Sequence, residues 1–276
     1  EITASTIFTP EKSKGSVDII FTFDASVVAP KTVVAFETLT YKKIQIAVHA
    51  DIEDKDQTVY IPTIRTSAKD NVTGINHTEA DKEVTITDTV TYKGLEVGRE
   101  YTVSGTLMNQ RTGAKILVNG KPVTASTTFT AEEKEGSVEV VFTFDATALE
   151  GTTTVVFETL YTENKEVAAH TDINDKGQTI YIPKVRTTAI ADDTKDHVTK
   201  AQKDVTIVDT VSYEGLEVGR EYTVKGVFMN KATGETITIN GEEVTAESTF
   251  TAKAQKGTVD VTFKFDGSAL EDTLIV

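Results

Sequence analysis

The sequence predicts an all-β chain built from tandem β-sandwich domains. Three observations carry this. Apolar and polar residues alternate in short runs, Asn-Gly pairs separate such runs, and the whole pattern returns at a spacing of 121 residues. Residues 48–68 read VHADIEDKDQTVYIPTIRTSA and residues 169–189 read AHTDINDKGQTIYIPKVRTTA. Likewise VTITDTVTYKGLEVGREYTV at 84–103 returns as VTIVDTVSYEGLEVGREYTV at 205–224. A period this long marks a duplicated domain, since solenoid repeats run to about 20–50 residues.

Taken in order along one unit, the first strand is 64–69. Ile64, Thr66 and Ala68 point one way and Arg65, Ser67 and Lys69 the other. In the next copy Val185, Thr187 and Ala189 face in. The second strand, 84–92, places Val84, Ile86, Asp88, Val90 and Tyr92 on one face. Its copy repeats this with Val205, Ile207, Asp209, Val211 and Tyr213. Asn119-Gly120, between ILV and KPV, predicts a type I′ hairpin, which needs positive φ at both central residues; Asn240-Gly241 repeats it. Val259, Val261, Phe263 and Phe265 alternate with polar residues in a further strand, with equivalents at 137–144 and 16–23. The runs VVAFETL and TVVFETL each hold one charge, Glu37 and Glu158. In the last strand Gln57, Val59 and Ile61 share a face, as do Gln178, Ile180 and Ile182. No amphipathic helix is legible. Many short strands with regular turns predict a sandwich for each unit.

The units are expected at 1–65 (the back part of a repeat), 66–186 (a complete repeat) and 187–276 (the front part of the next), a window from a longer array. Pro62 and Pro183 mark the joints, and the few residues between Gln57 and Thr66 leave no room for a floppy linker. An extended, stiff rod is expected. The net charge of −15 repels nucleic acid and anionic membranes, and no run is long and apolar enough to insert in a bilayer. Cysteine is absent, so any covalent staple has to be of another kind.

Three inward polar residues recur in both copies. A carboxylate in a core costs several kcal/mol unless it is paired or protonated, and a buried amide wants several hydrogen bonds. The alternatives are a bulge that turns Asp88 outward, a glutamine at the rim, and an edge strand with Glu158 in water. The histidines are of two kinds. His77 and His197 lie in polar stretches and read as exposed loops out of register with the repeat. His49 and His170 keep the period, eight residues before Gln57 and Gln178. His49 with Asp51, Asp54 and Asp56 makes an acidic cluster, but Asp56 becomes Gly177 in the next copy and the spacing fits no calcium loop, so no metal and no cofactor is expected.

Both His49–Thr58 and His170–Thr179 fit H-x-D-x-x-D-x-x-Q-T, and VAFE stands at 34–37. On these motifs the chain resembles the VaFE-type repeats of Gram-positive surface adhesins, the Thr–Gln ester-bond domains with an immunoglobulin-like fold. The resemblance spans essentially the whole chain. It implies that Thr66 is the nucleophile and Gln178 the acyl partner, assisted by Asp88, Glu158 and His170. Glu37, His49 and Gln57 then belong to one partial site, and Thr187 and Asp209 to another. It further implies a cell-wall-anchored, extracellular stalk whose partners are neighbouring repeats, with any host ligand bound by other domains. The implied reaction is a single-turnover self-cross-linking that releases ammonia, not turnover of an external substrate. Rival readings are a Lys–Asn isopeptide sandwich, faintly suggested by LEVGREYTV at 95–103, and an uncross-linked sugar or calcium binder. No lysine stands in inward register with a partner, and the absence of tryptophan argues against a sugar platform.

Overall fold

The computed structural model describes residues 2–270 and 273. The central unit has ten strands, eight in a two-sheet sandwich and two in a separate hairpin. They are β1 (Thr63–Asp70), β2 (Val84–Lys93), β3 (Glu100–Asn109), β4 (Leu117–Val118), β5 (Lys121–Pro122), β6 (Thr124–Thr130), β7 (Glu135–Phe144), β8 (Thr152–Thr162), β9 (Lys165–His170) and β10 (Thr179–Ile182). One sheet runs β7-β2-β1 and the other β6-β3-β8, all antiparallel. The far edge of β8 is shared. Its first residues pair with β10, and its later residues pair with β9 across a register shift at Leu160/Tyr161.

The alternation explains which face each strand buries. On β2, Val84, Ile86, Val90 and Tyr92 are buried while Thr89, Thr91 and Lys93 are exposed. Phe142, Leu107, Leu160, Ile180 and Ile182 meet them in the core between the sheets. Asn119 and Gly120 have φ of 52° and 77°, the geometry expected for the β4–β5 hairpin. Gly105 on β3 stands where an added Cβ would lie 2.4 Å from Cζ of Phe142. The missing side chain lets that ring fill the core.

The third unit repeats the strands up to Lys256–Phe265 with the same pairings, Thr187 opposite Val211 and Asp209 opposite Val261. The first unit holds two ribbons, Thr32–Val34 with Thr58–Tyr60 and Glu37–Tyr41 with Ile44–His49. Residues 16–23, expected as a strand, are not one. Their equivalent, β7, pairs with β2, and residues 1–61 contain no copy of β2 to supply the ladder bonds.

Candidate functional site

β1 enters along the edge of the smaller sheet and turns Thr66 inward, between the buried Ile64 and Ala68. β2 is regular through Asp88, whose Cα faces Ala68 on one side and Val140 on the other. No bulge rotates the carboxylate outward, and Asp88 is 0% exposed. Glu158 lies in the interior of its sheet, with β3 on one side and β9 on the other, and is also 0% exposed. Gln178 closes a short 3-10 turn, Lys176–Gln178, immediately before β10 and is fully buried. That turn is capped by Asp175, whose Oδ1 accepts the Gly177 N–H at 2.7 Å.

These residues converge from four elements. Thr66 Oγ1 donates to Glu158 Oε2 at 3.1 Å, and Gln178 Nε2 donates to Asp88 Oδ1 at 3.2 Å. The two carboxyl groups interact directly. Burial, followed by the neighbouring Asp88, pushes Glu158 up to about 11. Burial also raises Asp88, but hydrogen bonds from Glu158, Thr66 and the Ser67 backbone and the His170 charge offset part of that rise. Asp88 Oδ2 and Glu158 Oε1 otherwise lack partners. Held protonated by burial, Glu158 can donate to Asp88. Gln178 Oε1 is also buried without a partner.

His170 stands opposite Glu158 in the β8–β9 register. Its Nε2 is 2.8 Å from Asp175 Oδ2. Burial opposes ionisation of Asp175, yet His170 and the Gly177 and Gln178 backbone N–H groups hold the carboxylate below its ordinary value. Asp175 accepts a hydrogen bond from Nε2–H, and in that tautomer Nδ1 carries the lone pair. Asp175 was given no role by the sequence reading. Its repeat as Asp54, with Oδ2 2.9 Å from His49 Nε2, was the available signal.

The partial sites echo this geometry. Glu37 faces His49 as Glu158 faces His170, and Gln57 is half-buried. Asp209 is raised by burial, opposed by hydrogen bonds from Thr187 and the Thr188 backbone, and its Oδ1 has no partner. Among the four histidines, His77 departs from its expected place in an exposed loop. It is 9% exposed, because the third unit packs onto it. His197 is exposed as expected.

A family model described as "T-Q ester bond containing domain" matches the chain three times, over residues 1–61, 62–182 and 183–276. Among solved structures, a bacterial adhesin from Mobiluncus mulieris containing intramolecular disulfide, isopeptide and ester bond cross-links is similar in two crystal forms. One gives 17% identity, 72% of this chain, 76% of that chain and a TM-score of 0.40. The other gives 15% identity, 78% of this chain, 96% of that chain and a TM-score of 0.40. A putative beta-galactosidase from Bacteroides fragilis gives 11% identity, 59% of this chain, 21% of that chain and a TM-score of 0.33. A comparison with curated proteins returned no match. These structural likenesses are distant, and the family match alone carries the assignment.

Proposed function

Because the chain belongs to the family of T-Q ester bond containing domains, represented in it by three tandem units, we propose that the central unit joins Thr66 to Gln178 by an ester. The observation that carries this reading is the convergence of Thr66 and Gln178 on one buried carboxyl pair. The reaction is a single self-modification. The Thr66 hydroxyl attacks the Gln178 amide carbon while His170 Nδ1, oriented by Asp175, accepts its proton. The tetrahedral centre collapses with loss of the amide nitrogen, which takes up that proton and leaves as ammonia. Asp88 holds this nitrogen beforehand.

Gln178 Oε1 is the atom that becomes the oxyanion, and it is unpartnered in the ground state. A donor that reaches it only in the tetrahedral state lowers the barrier without stabilising the reactant. We assign that role to the Glu158 proton, since burial keeps this carboxyl protonated. Amides are poor electrophiles, and fixed geometry contributes roughly 7–11 kcal/mol of the acceleration. A dry core then shields the product from hydrolysis.

The setting we infer is a stalk segment of a bacterial cell-surface adhesin or fibre, whose contacts are with neighbouring repeats. Peptide mapping by tandem mass spectrometry tests the bond: a Thr66 peptide linked to a Gln178 peptide is expected, cut by alkaline hydroxylamine. A hydroxylamine-resistant link favours an isopeptide, and a link through Ser67 contradicts the register assignment.

A further inference from the structure

The loop between β1 and β2 folds back over the end of β10. Tyr181 N–H donates to Asn76 O at 2.9 Å, and Thr78 N–H donates to Tyr181 O at 3.0 Å. This seats the His77 ring on the Tyr181 ring, with centroids 4.9 Å apart and planes 21° from parallel. The other side of the imidazole meets the third unit. His77 Nε2 lies 2.9 Å from Tyr222 Oη, and Nδ1 lies 3.0 Å from Asn76 Oδ1. That same amide oxygen accepts from Arg220 Nη1 at 3.1 Å. Arg220 is anchored by Glu217, and Tyr222 Oη accepts the Glu217 N–H at 2.9 Å.

The network assigns the protons. A guanidinium only donates, so the Asn76 atom facing Arg220 is the oxygen. An oxygen only accepts here, so His77 Nδ1 carries the hydrogen. Nε2 is then the acceptor, and Tyr222 donates to it. A second proton on the ring removes that acceptor. Nε2–H then points at a phenolic oxygen that already accepts the Glu217 N–H, and the Tyr222 hydroxyl proton is left without its acceptor. The new cation also sits beside Arg220, with Glu217 as the one facing anion among the described residues.

We propose that His77 is the pin of the joint between the second and third units, neutral when the joint is closed, and that its protonation unlatches the third unit. The surface it serves is repeated in sequence: Glu217, Arg220 and Tyr222 return Glu96, Arg99 and Tyr101, whose preceding unit offers Tyr60 in place of Tyr181. Burial, reinforced by the Arg220 charge and opposed by Glu217, holds the His77 imidazole below its ordinary range. The closed joint therefore favours the neutral ring, and closure weakens as pH falls through the ordinary histidine range of about 6.5. Tyr181 and Tyr222 are raised by burial and stay neutral throughout.

The rest of the joint holds at that pH. Glu150 is paired with Lys184 at 3.4 Å and Arg186 at 3.0 Å, and Arg186 keeps its carboxylate below the ordinary value. Gly215, at φ +80°, lies so close to Gly151 that an added Cβ would be 3.1 Å from its carbonyl carbon. Unlatching therefore widens the angular range between units without separating them. This device is independent of the ester and leaves the mass unchanged.

Because the chain has no cysteine, spin labels go uniquely onto Lys121→Cys and Glu243→Cys, both exposed, in the full chain. Pulsed electron–electron resonance then reads the inter-unit distance. We expect a narrow distribution near pH 7.5 and a clearly broader one near pH 5, with His77→Gln giving the same distribution at both. Tyr222→Phe removes the donor and is expected to be broad at both. A wild-type distribution unchanged between the two pH values overturns the proposal, and so does His77→Gln broadening as the wild type does. If His77→Gln misfolds, Tyr222→Phe decides: a narrow distribution near pH 7.5 overturns it.

Discussion

Glu158 and Asp88 are two interacting acids in a core, both raised by burial, and this is the residue-scale feature on which the proposed chemistry turns. Replacing Glu158 with Gln keeps shape but removes the acid; loss of such an oxyanion donor typically slows a reaction about 10²–10³-fold. The time course of ammonia loss after folding measures this, and a rate equal to wild type would exclude Glu158 as the donor. The raised value of Glu158 also has a linkage consequence. Its folded form holds a proton that the unfolded chain releases above its ordinary range near 4.5. Stability from this group is complete below that value and declines as pH rises toward about 11. The urea midpoint of the uncross-linkable Thr66→Val variant should therefore fall between about pH 5 and about pH 9. A Glu158→Gln change in that background should flatten the slope. Asp88, Thr66 and Gln178 were legible because period-two alternation puts each on an apolar face. Asp175 was not, because it reaches His170 through a turn that has no such period. His77 was misread because its burial comes from another unit.

At the scale of elements, the sandwich brings the first strand of a unit beside the 3-10 turn that leads into the last, where Gln178 sits one residue before the strand expected to hold it. Thr66, on β1, and Gln178, in the turn that leads into β10, reach the same carboxyl pair. The strand supporting Glu158 is itself set by Gly105, its register partner, which yields its side-chain space to Phe142. Gly105→Ala forces that ring to move, and overpacking of this kind costs about 1–3 kcal/mol. Chemical denaturation of Gly105→Ala in the Thr66→Val background measures it, and the same substitution should slow ammonia loss in the reactive chain. An unchanged stability and rate would show that β3 and Phe142 do not position Glu158. Strands and hairpin turns were legible from local alternation and Asn-Gly pairs. Residues 16–23 were not, because a strand exists through its ladder partner, and residues 1–61 hold no counterpart of β2.

For the whole molecule, force enters the central unit at β1 and leaves at β10. The proposed ester, between β1 and the turn that leads into β10, would carry the load past everything in between. The enclosed loop of about 110 residues restrains the unfolded state by about 4–5 kcal/mol in the chain-entropy model for cross-links. In single-molecule pulling, Thr66→Ala should release about 400 Å of additional contour from this unit, at about 3.6 Å per residue. Wild-type chain should not release that length. The duplication and the position of the joint at Pro183 were legible at this scale, whereas the His77 contact across it was not, since it joins residues 145 apart. The central claim is that the central unit closes one covalent bond by losing ammonia. Intact mass spectrometry of the folded 276-residue chain tests it most directly. The account predicts the sequence mass less one ammonia, restored in full by Thr66→Ala. Folded wild-type chain at the full sequence mass would contradict it.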